Sequence, residues 1–132
     1  MLKFDAKAPI VLVGGAGVVG QRLGPLLARL EQRPLLVAGR SAERAKATLK
    51  AVESAGGEAR FVALDLNAPS GVLAASAVVG LVNDPQDTLL LAALRGSVPF
   101  VDITRWTSLM ARAVVPVVAM ITLALLSWKR FI

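Results

Sequence analysis

Pro9-Ile10-Val11-Leu12-Val13-Gly14-Gly15-Ala16-Gly17-Val18-Val19-Gly20 is the stretch of this chain whose reading decides the fold. Ile10 to Val13 is an unbroken apolar run of strand length. A parallel strand buried on both faces reads this way. It passes directly into glycine, and Gly15 to Gly20 fits the pattern G-x-G-x-x-G. An amphipathic stretch follows at once. Strand, glycine turn and helix in that order form the context in which the pattern cradles a dinucleotide pyrophosphate. Gly15 is expected to permit the tight turn, Gly17 to let a phosphate approach bare backbone, and Gly20 to let helix and strand pack closely. The helix start would add unpaired N–H groups and the positive end of its dipole. No Gly-Lys-Ser/Thr follows, so a lysine P-loop is excluded.

Outward from this motif the chain alternates between strand and helix patterns, which predicts an α/β fold with a doubly wound parallel sheet of Rossmann type. The first helix is expected over about 18–30, with Val19, Leu23, Leu26, Leu27 and Leu30 as its apolar face. Pro25 is expected to kink it near Gln21. A second strand over 35–38 closes at Gly39-Arg40-Ser41, with Ser41 as N-cap of a helix over 42–54 that Gly56-Gly57 stops. Ala45, Leu49 and Val52 form that helix's predicted buried face. Further strands are expected over 60–64, 78–82 and 100–103. A loop spans 67–76, and a helix runs from Thr88 to Leu94 or Arg95, capped by Asp87 and stopped by Gly96.

The chain has 132 residues, 55% of them hydrophobic, which suits one folded domain with a substantial core. Cysteine, histidine and tyrosine are all missing from the sequence. Disulfides, thiolate or imidazole metal sites and cysteine nucleophiles are thereby excluded within it. The net charge of +6 comes from scattered arginines and lysines without dense runs or interleaved aromatics. That distribution points to a solvated basic surface that steers an anionic cofactor, and away from nucleic acid. Met1 to Ala8 is mixed and charged, with no signal-peptide core, so a cytoplasmic location is expected.

Residues 109–132 differ from the rest. Ala113 to Trp128 is an uncharged run of 16 residues between Arg112 and Lys129-Arg130. It is shorter than the roughly 20 residues needed to span a bilayer. A buried helix or strand completing the fold is the favoured reading, and membrane contact through 113–128 the lesser one. Exposed, the same run would drive self-association into a homo-oligomer.

The end of the second strand bears on cofactor choice. An NAD site places an acidic residue there to bond the ribose hydroxyls. Here the position holds Gly39-Arg40-Ser41, and the nearest carboxylate, Glu43, already belongs to the helix. Arginine at this position can pair with a 2′-phosphate, Ser41 can donate to it, and Arg44 one turn later can assist. The expected cofactor is therefore NADP(H), although an exposed arginine at a strand end is also an ordinary surface feature. Asp65 and Leu66 end the third strand, where an adenine edge would lie. Asn83 ends the fourth, towards a nicotinamide ribose. Asn83-Asp84-Pro85 is equally an ordinary turn sequence.

Together, the glycine loop, Ala38-Gly39-Arg40-Ser41, Asp65, Asn83 and Val98-Pro99-Phe100-Val101-Asp102-Ile103-Thr104 resemble the NADP-binding domain of the saccharopine dehydrogenase-like (saccharopine reductase) family, over about residues 8–108. The resemblance implies hydride transfer between NADP(H) and a small amine- or imine-type substrate. It implies that Gly14 to Gly20 (Gly15, Ala16, Gly17, Val18 and Val19 above all) hold the pyrophosphate. Arg40 and Ser41 would hold the 2′-phosphate, Asp65 would flank adenine, and Asp102 would lie near the substrate entrance. Enzymes of this family carry a second, substrate-binding domain, so 1–108 reads as the cofactor domain and 109–132 as the start of a missing substrate domain or an added helix. The alternatives are a stand-alone NADP-binding regulatory module, and an atypical short-chain dehydrogenase/reductase-like protein without catalysis, since that group's Tyr-x-x-x-Lys chemistry needs a tyrosine.

Overall fold

A computed structural model describes residues 7–69 and 74–103, together with 119, 121, 125 and 126. The elements run β1 (Ile10–Val13), α1 (Val18–Glu31), β2 (Leu35–Gly39), α2 (Ala42–Ser54), β3 (Ala59–Ala63), β4 (Ala77–Gly80), α3 (Thr88–Arg95) and β5 (Phe100–Asp102). All strands pair in parallel, in the order β3-β2-β1-β4-β5. After β3 the chain crosses back over the sheet to lay β4 against β1. The strand order therefore reverses between β1 and β4, which makes a topological switch point at their carboxyl ends.

β1 is central, and all four of its residues are buried. Its side chains alternate between two cores. Val11 and Val13 join Ala38, Val78 and Leu89 on the α3 side. Ile10 and Leu12 join Ala28, Leu35 and Val52 on the side covered by α1 and α2. This doubly wound α/β sheet is the fold the sequence pattern predicts.

α1 lies on the sheet differently from its leucine spacing. Its buried residues are Gly20, Gly24 and Ala28, four apart on one stripe. Leu23 and Leu27 are half-buried, while Val19, Leu26 and Leu30 are 49%, 52% and 78% exposed. Small residues win the buried face because they let the helix approach closely. A Cβ on Gly24 would stand 3.0 Å from Val52 Cγ2 of α2. Pro25, expected to kink the helix, sits inside it, and the helix runs on to Glu31. Among the described residues of the 113–128 run, Ala119, Ile121, Leu125 and Leu126 are helical and exposed. The rest of that run lies outside the described residues. No helix among the described residues is long and apolar enough to cross a membrane.

α2 follows its predicted bounds. Ser41 Oγ accepts from the Arg44 N–H at 3.4 Å. At the far end Gly57 N donates to Val52 O and Gly56 N to Glu53 O, with Gly56 at φ +81°, a Schellman closure. Its buried residues are Ala45, Thr48 and Val52, and the expected Leu49 is only half-buried. β3 begins one residue earlier than predicted because its pairing with β2 opens at Leu35↔Ala59. β4 stops at Gly80 rather than at position 82. There the chain folds over the glycine loop, bringing Leu81 O and Val82 Cβ to 3.0 Å from where a Gly14 Cβ would stand. β5 likewise ends one residue short, at Asp102.

The cap of α3 also needs correction. Asp87 occupies the N-cap position at φ +56° but makes no side-chain capping bond. Asp84 does so instead, its Oδ2 accepting from Leu89 N at 2.7 Å in a buried contact. The Asp84-Pro85 turn brings the earlier carboxylate over the helix end. Asp84→Ala should therefore lower unfolding free energy by about 1 kcal/mol, the typical loss of a capping side chain. Urea denaturation reads this loss, and an unchanged unfolding free energy in Asp84→Ala would refute the capping assignment.

Candidate functional site

The carboxyl ends of β1 to β4 surround a cleft of about 520 Å³ at the switch point. Gly14, Ala16 and Gly17 line it from the β1–α1 loop, and Gly39, Arg40, Ser41 and Arg44 from the β2–α2 corner. Asp65, Leu66 and Asn67 close the side beyond β3, and Leu81, Val82 and Asn83 the side beyond β4. Four separate loops thus bring most of the sequence-predicted residues to one opening. Gly15, Val18, Val19 and Gly20 do not line it.

Local chemistry explains that division. The turn expected at Gly15 falls at Gly14, which alone in this loop adopts positive φ, at +80°. Gly15 faces inward, where a Cβ would meet Leu12 Cβ at 2.9 Å and Val37 Cγ1 at 3.3 Å. Gly20 packs against the same residue, for a Cβ there would stand only 2.0 Å from Gly15 O. Gly17 is the open position. Its nearest obstacle would be Gly14 O at 3.6 Å, so the backbone is bare towards the cleft. The turn occupies two N–H groups, Gly15 N donating to Leu12 O and Gly17 N to Gly14 O, each at 3.2 Å. Ala16 N donates to no backbone acceptor among the described residues.

α1 begins at Gly17 with no side-chain cap and no acidic residue in its first turn. A helix start leaves its first N–H groups without intrahelical partners. Those of Val18 and Val19 belong to this set. Their side chains face solvent, Val18 74% and Val19 49% exposed. An uncapped helix start beside a glycine without obstruction can receive an anion.

At the β2–α2 corner a Cβ on Gly39 would meet nothing within 4 Å. Arg40 and Arg44 flank Ser41 and form no ion pair among the described residues. Glu43 is engaged elsewhere, its Oε2 lying 2.5 Å from Lys46 Nζ on the exposed side of α2. The carboxylate that does line the cleft, Asp65, accepts from Asn67 N at 2.9 Å and so shapes the loop after β3. Asp102 sits on β5 opposite Gly80, outside the cleft lining.

One residue that sequence reasoning missed underlies the loop. Thr48, fully buried on α2, donates from Oγ1 to Gly15 O at 2.7 Å. The signal was a polar residue standing three after Ala45 and four before Val52, on the buried stripe of a helix. A second hollow of about 570 Å³ opens at the opposite end of the sheet, between Ala28–Pro34 and Ala55–Glu58. Helices α1 and α2 end there, so carbonyls and negative dipole ends face it, and phosphate is disfavoured despite Arg29 and Arg33.

No protein-family model matches the chain, and no curated protein matches it. Solved structures do. The apo saccharopine dehydrogenase (L-Glu forming) from Saccharomyces cerevisiae superposes with a TM-score of 0.61 at 21% identity, over 78% of this chain and 23% of that one. A shikimate 5-dehydrogenase from Mycobacterium fortuitum gives 0.53 at 12% identity, over 73% of this chain and 44% of that one. A ketoreductase domain from the bacillaene assembly line gives 0.52 at 16%, over 70% and 30%. This chain spans less than half the length of each. The fold is the α/β Rossmann-like fold found in dehydrogenase and reductase domains.

Gly17 separates ligand access from folding. Gly17→Val should keep thermal stability close to that of the parent protein, since Gly17 is extended at φ −80° and its Cβ direction is open. ADP affinity by calorimetry should fall at least about tenfold. Gly20→Ala should instead destabilise the whole domain by about 1–3 kcal/mol through overpacking. Wild-type ADP affinity in Gly17→Val would remove the loop from the site.

Proposed function

We propose that this chain is the NADP(H)-binding domain of an oxidoreductase of the saccharopine dehydrogenase-like type, working on a small amine- or imine-type substrate. The observation that carries this reading is the convergence of the glycine loop and the Arg40-Ser41-Arg44 corner on one cleft. Arg40 and Arg44 place two cations in the cleft lining at the start of α2, the positive end of its dipole. That arrangement is unfavourable until an anion arrives between them. The 2′-phosphate of NADP(H) supplies that anion, whereas NAD(H) brings only hydroxyls. Arg40 and Arg44 then pair with the phosphate, and Ser41 adds a donor from its side chain.

The remaining contacts follow the cleft. Ala16, Val18 and Val19 N–H groups bond the pyrophosphate over the bare Gly17, while Gly14, Gly15 and Gly20 hold the loop's shape. Gly39, Asp65 and Leu66 border the adenosine, and Asn83 borders the nicotinamide ribose. The nicotinamide ring supplies the hydride chemistry when bound. Likeness in fold to a saccharopine dehydrogenase supports the substrate class. A cytoplasmic location fits this metabolic role.

Titration with NADPH and NADH, followed by fluorescence, tests the assignment. NADPH should bind at least about tenfold more tightly, and the margin should shrink with added salt. Arg40→Ala should lower NADPH affinity by about 10- to 100-fold, the worth of a charge-assisted contact, and leave NADH unchanged. Equal affinities in the parent protein would overturn the NADP assignment. NADPH oxidation with imines or with keto acids plus amines tests the enzymatic part, and binding without turnover would mark a cofactor-bound module instead.

A further inference from the structure

We propose that Thr48, remote in sequence from the glycine loop, is a positioning residue for the dinucleotide pyrophosphate, fixing the peptide between Gly15 and Ala16 so that the Ala16 N–H faces the ligand; this rests on the cofactor reading above. The Thr48 hydroxyl donates to Gly15 O at 2.7 Å from a fully buried position 33 residues along the chain. A threonine inside a helix commonly turns its hydroxyl back to the carbonyl four residues earlier. Thr48 reaches out to the loop instead.

The consequence follows from peptide geometry. No cis peptide occurs among the described residues. In a planar trans peptide the C=O and the next N–H point in opposite directions. Drawing Gly15 O down to α2 therefore turns Ala16 N–H away from α2. Ala16 lines the cleft, and its N–H has no backbone acceptor among the described residues. Gly20 closes the other side of the same carbonyl, since a Cβ there would stand 2.0 Å from it. Carbonyl and amide are thus set before ligand arrives. Without the hydroxyl, Gly15 O loses its buried hydrogen-bond partner and the peptide is held less firmly, so pyrophosphate binding must first reorder it.

The test compares two ligands on intact protein. 2′-AMP carries the phosphate for the Arg40 corner but no pyrophosphate, whereas NADPH carries both. Thr48→Val, equal in shape and lacking the hydroxyl, should weaken NADPH by about tenfold and leave 2′-AMP within about twofold. Thr48→Ser keeps the donor and should retain parental affinity for both. In the parent protein, the Ala16 amide should shift in two-dimensional NMR on adding NADPH and not on adding 2′-AMP, a readout independent of whether Thr48→Val folds. Equal losses for both ligands, unchanged NADPH affinity in Thr48→Val, or an unmoved Ala16 amide would each overturn the proposal. A parent protein that binds neither ligand overturns the cofactor reading itself, and this inference with it.

Discussion

The contact between Gly20 and the Gly15 carbonyl is the constraint on which the structure turns. α1 must leave the end of β1, reverse direction and lie back along the sheet within a loop of four residues, Gly14 to Gly17. That reversal brings the first turn of α1 onto the loop's own backbone, at a separation no side chain tolerates. Once it is met, three features follow together. The Gly20-Gly24-Ala28 stripe seats against the sheet and α2, the start of α1 points over the carboxyl end of β1, and the cleft opens where β4 departs from β1. Packing and the opening of the cleft are thus served by different glycines of one short motif, Gly20 and Gly15 inward, Gly17 outward.

Much of this was legible in the sequence. β1 was readable because a strand buried on both faces needs a continuous apolar run. α2 was readable at both ends because Ser41 and Gly56-Gly57 are chemically explicit boundaries. The residues of the cleft were readable from the rule that ligands gather at the carboxyl ends of parallel strands, which needs only strand order and loop positions.

The misreadings share a cause. Leucine spacing on α1 suggested an apolar face, but the sheet and α2 demanded closeness over bulk, so glycine and alanine took the interior and Leu26 and Leu30 faced outward. The choice between Gly14 and Gly15 for the turn depends on backbone angles that adjacent glycines leave equally open. Asp84 and Asp87 are both reasonable caps by spacing, and only the sharp turn at Pro85 decides between them. Thr48 was missed because its partner lies in another element, beyond the reach of local periodicity. Each case is a tertiary contact overriding a local preference.

Ser41 has one further consequence. Its hydroxyl oxygen accepts from the Arg44 N–H and caps the start of α2. A hydroxyl has two lone pairs and a rotatable hydrogen. The oxygen can keep the backbone bond while its proton swings towards an incoming oxyanion. Helix integrity and the proposed phosphate contact therefore do not compete for this atom, and an anion could enter and leave the corner without α2 unravelling by even one turn.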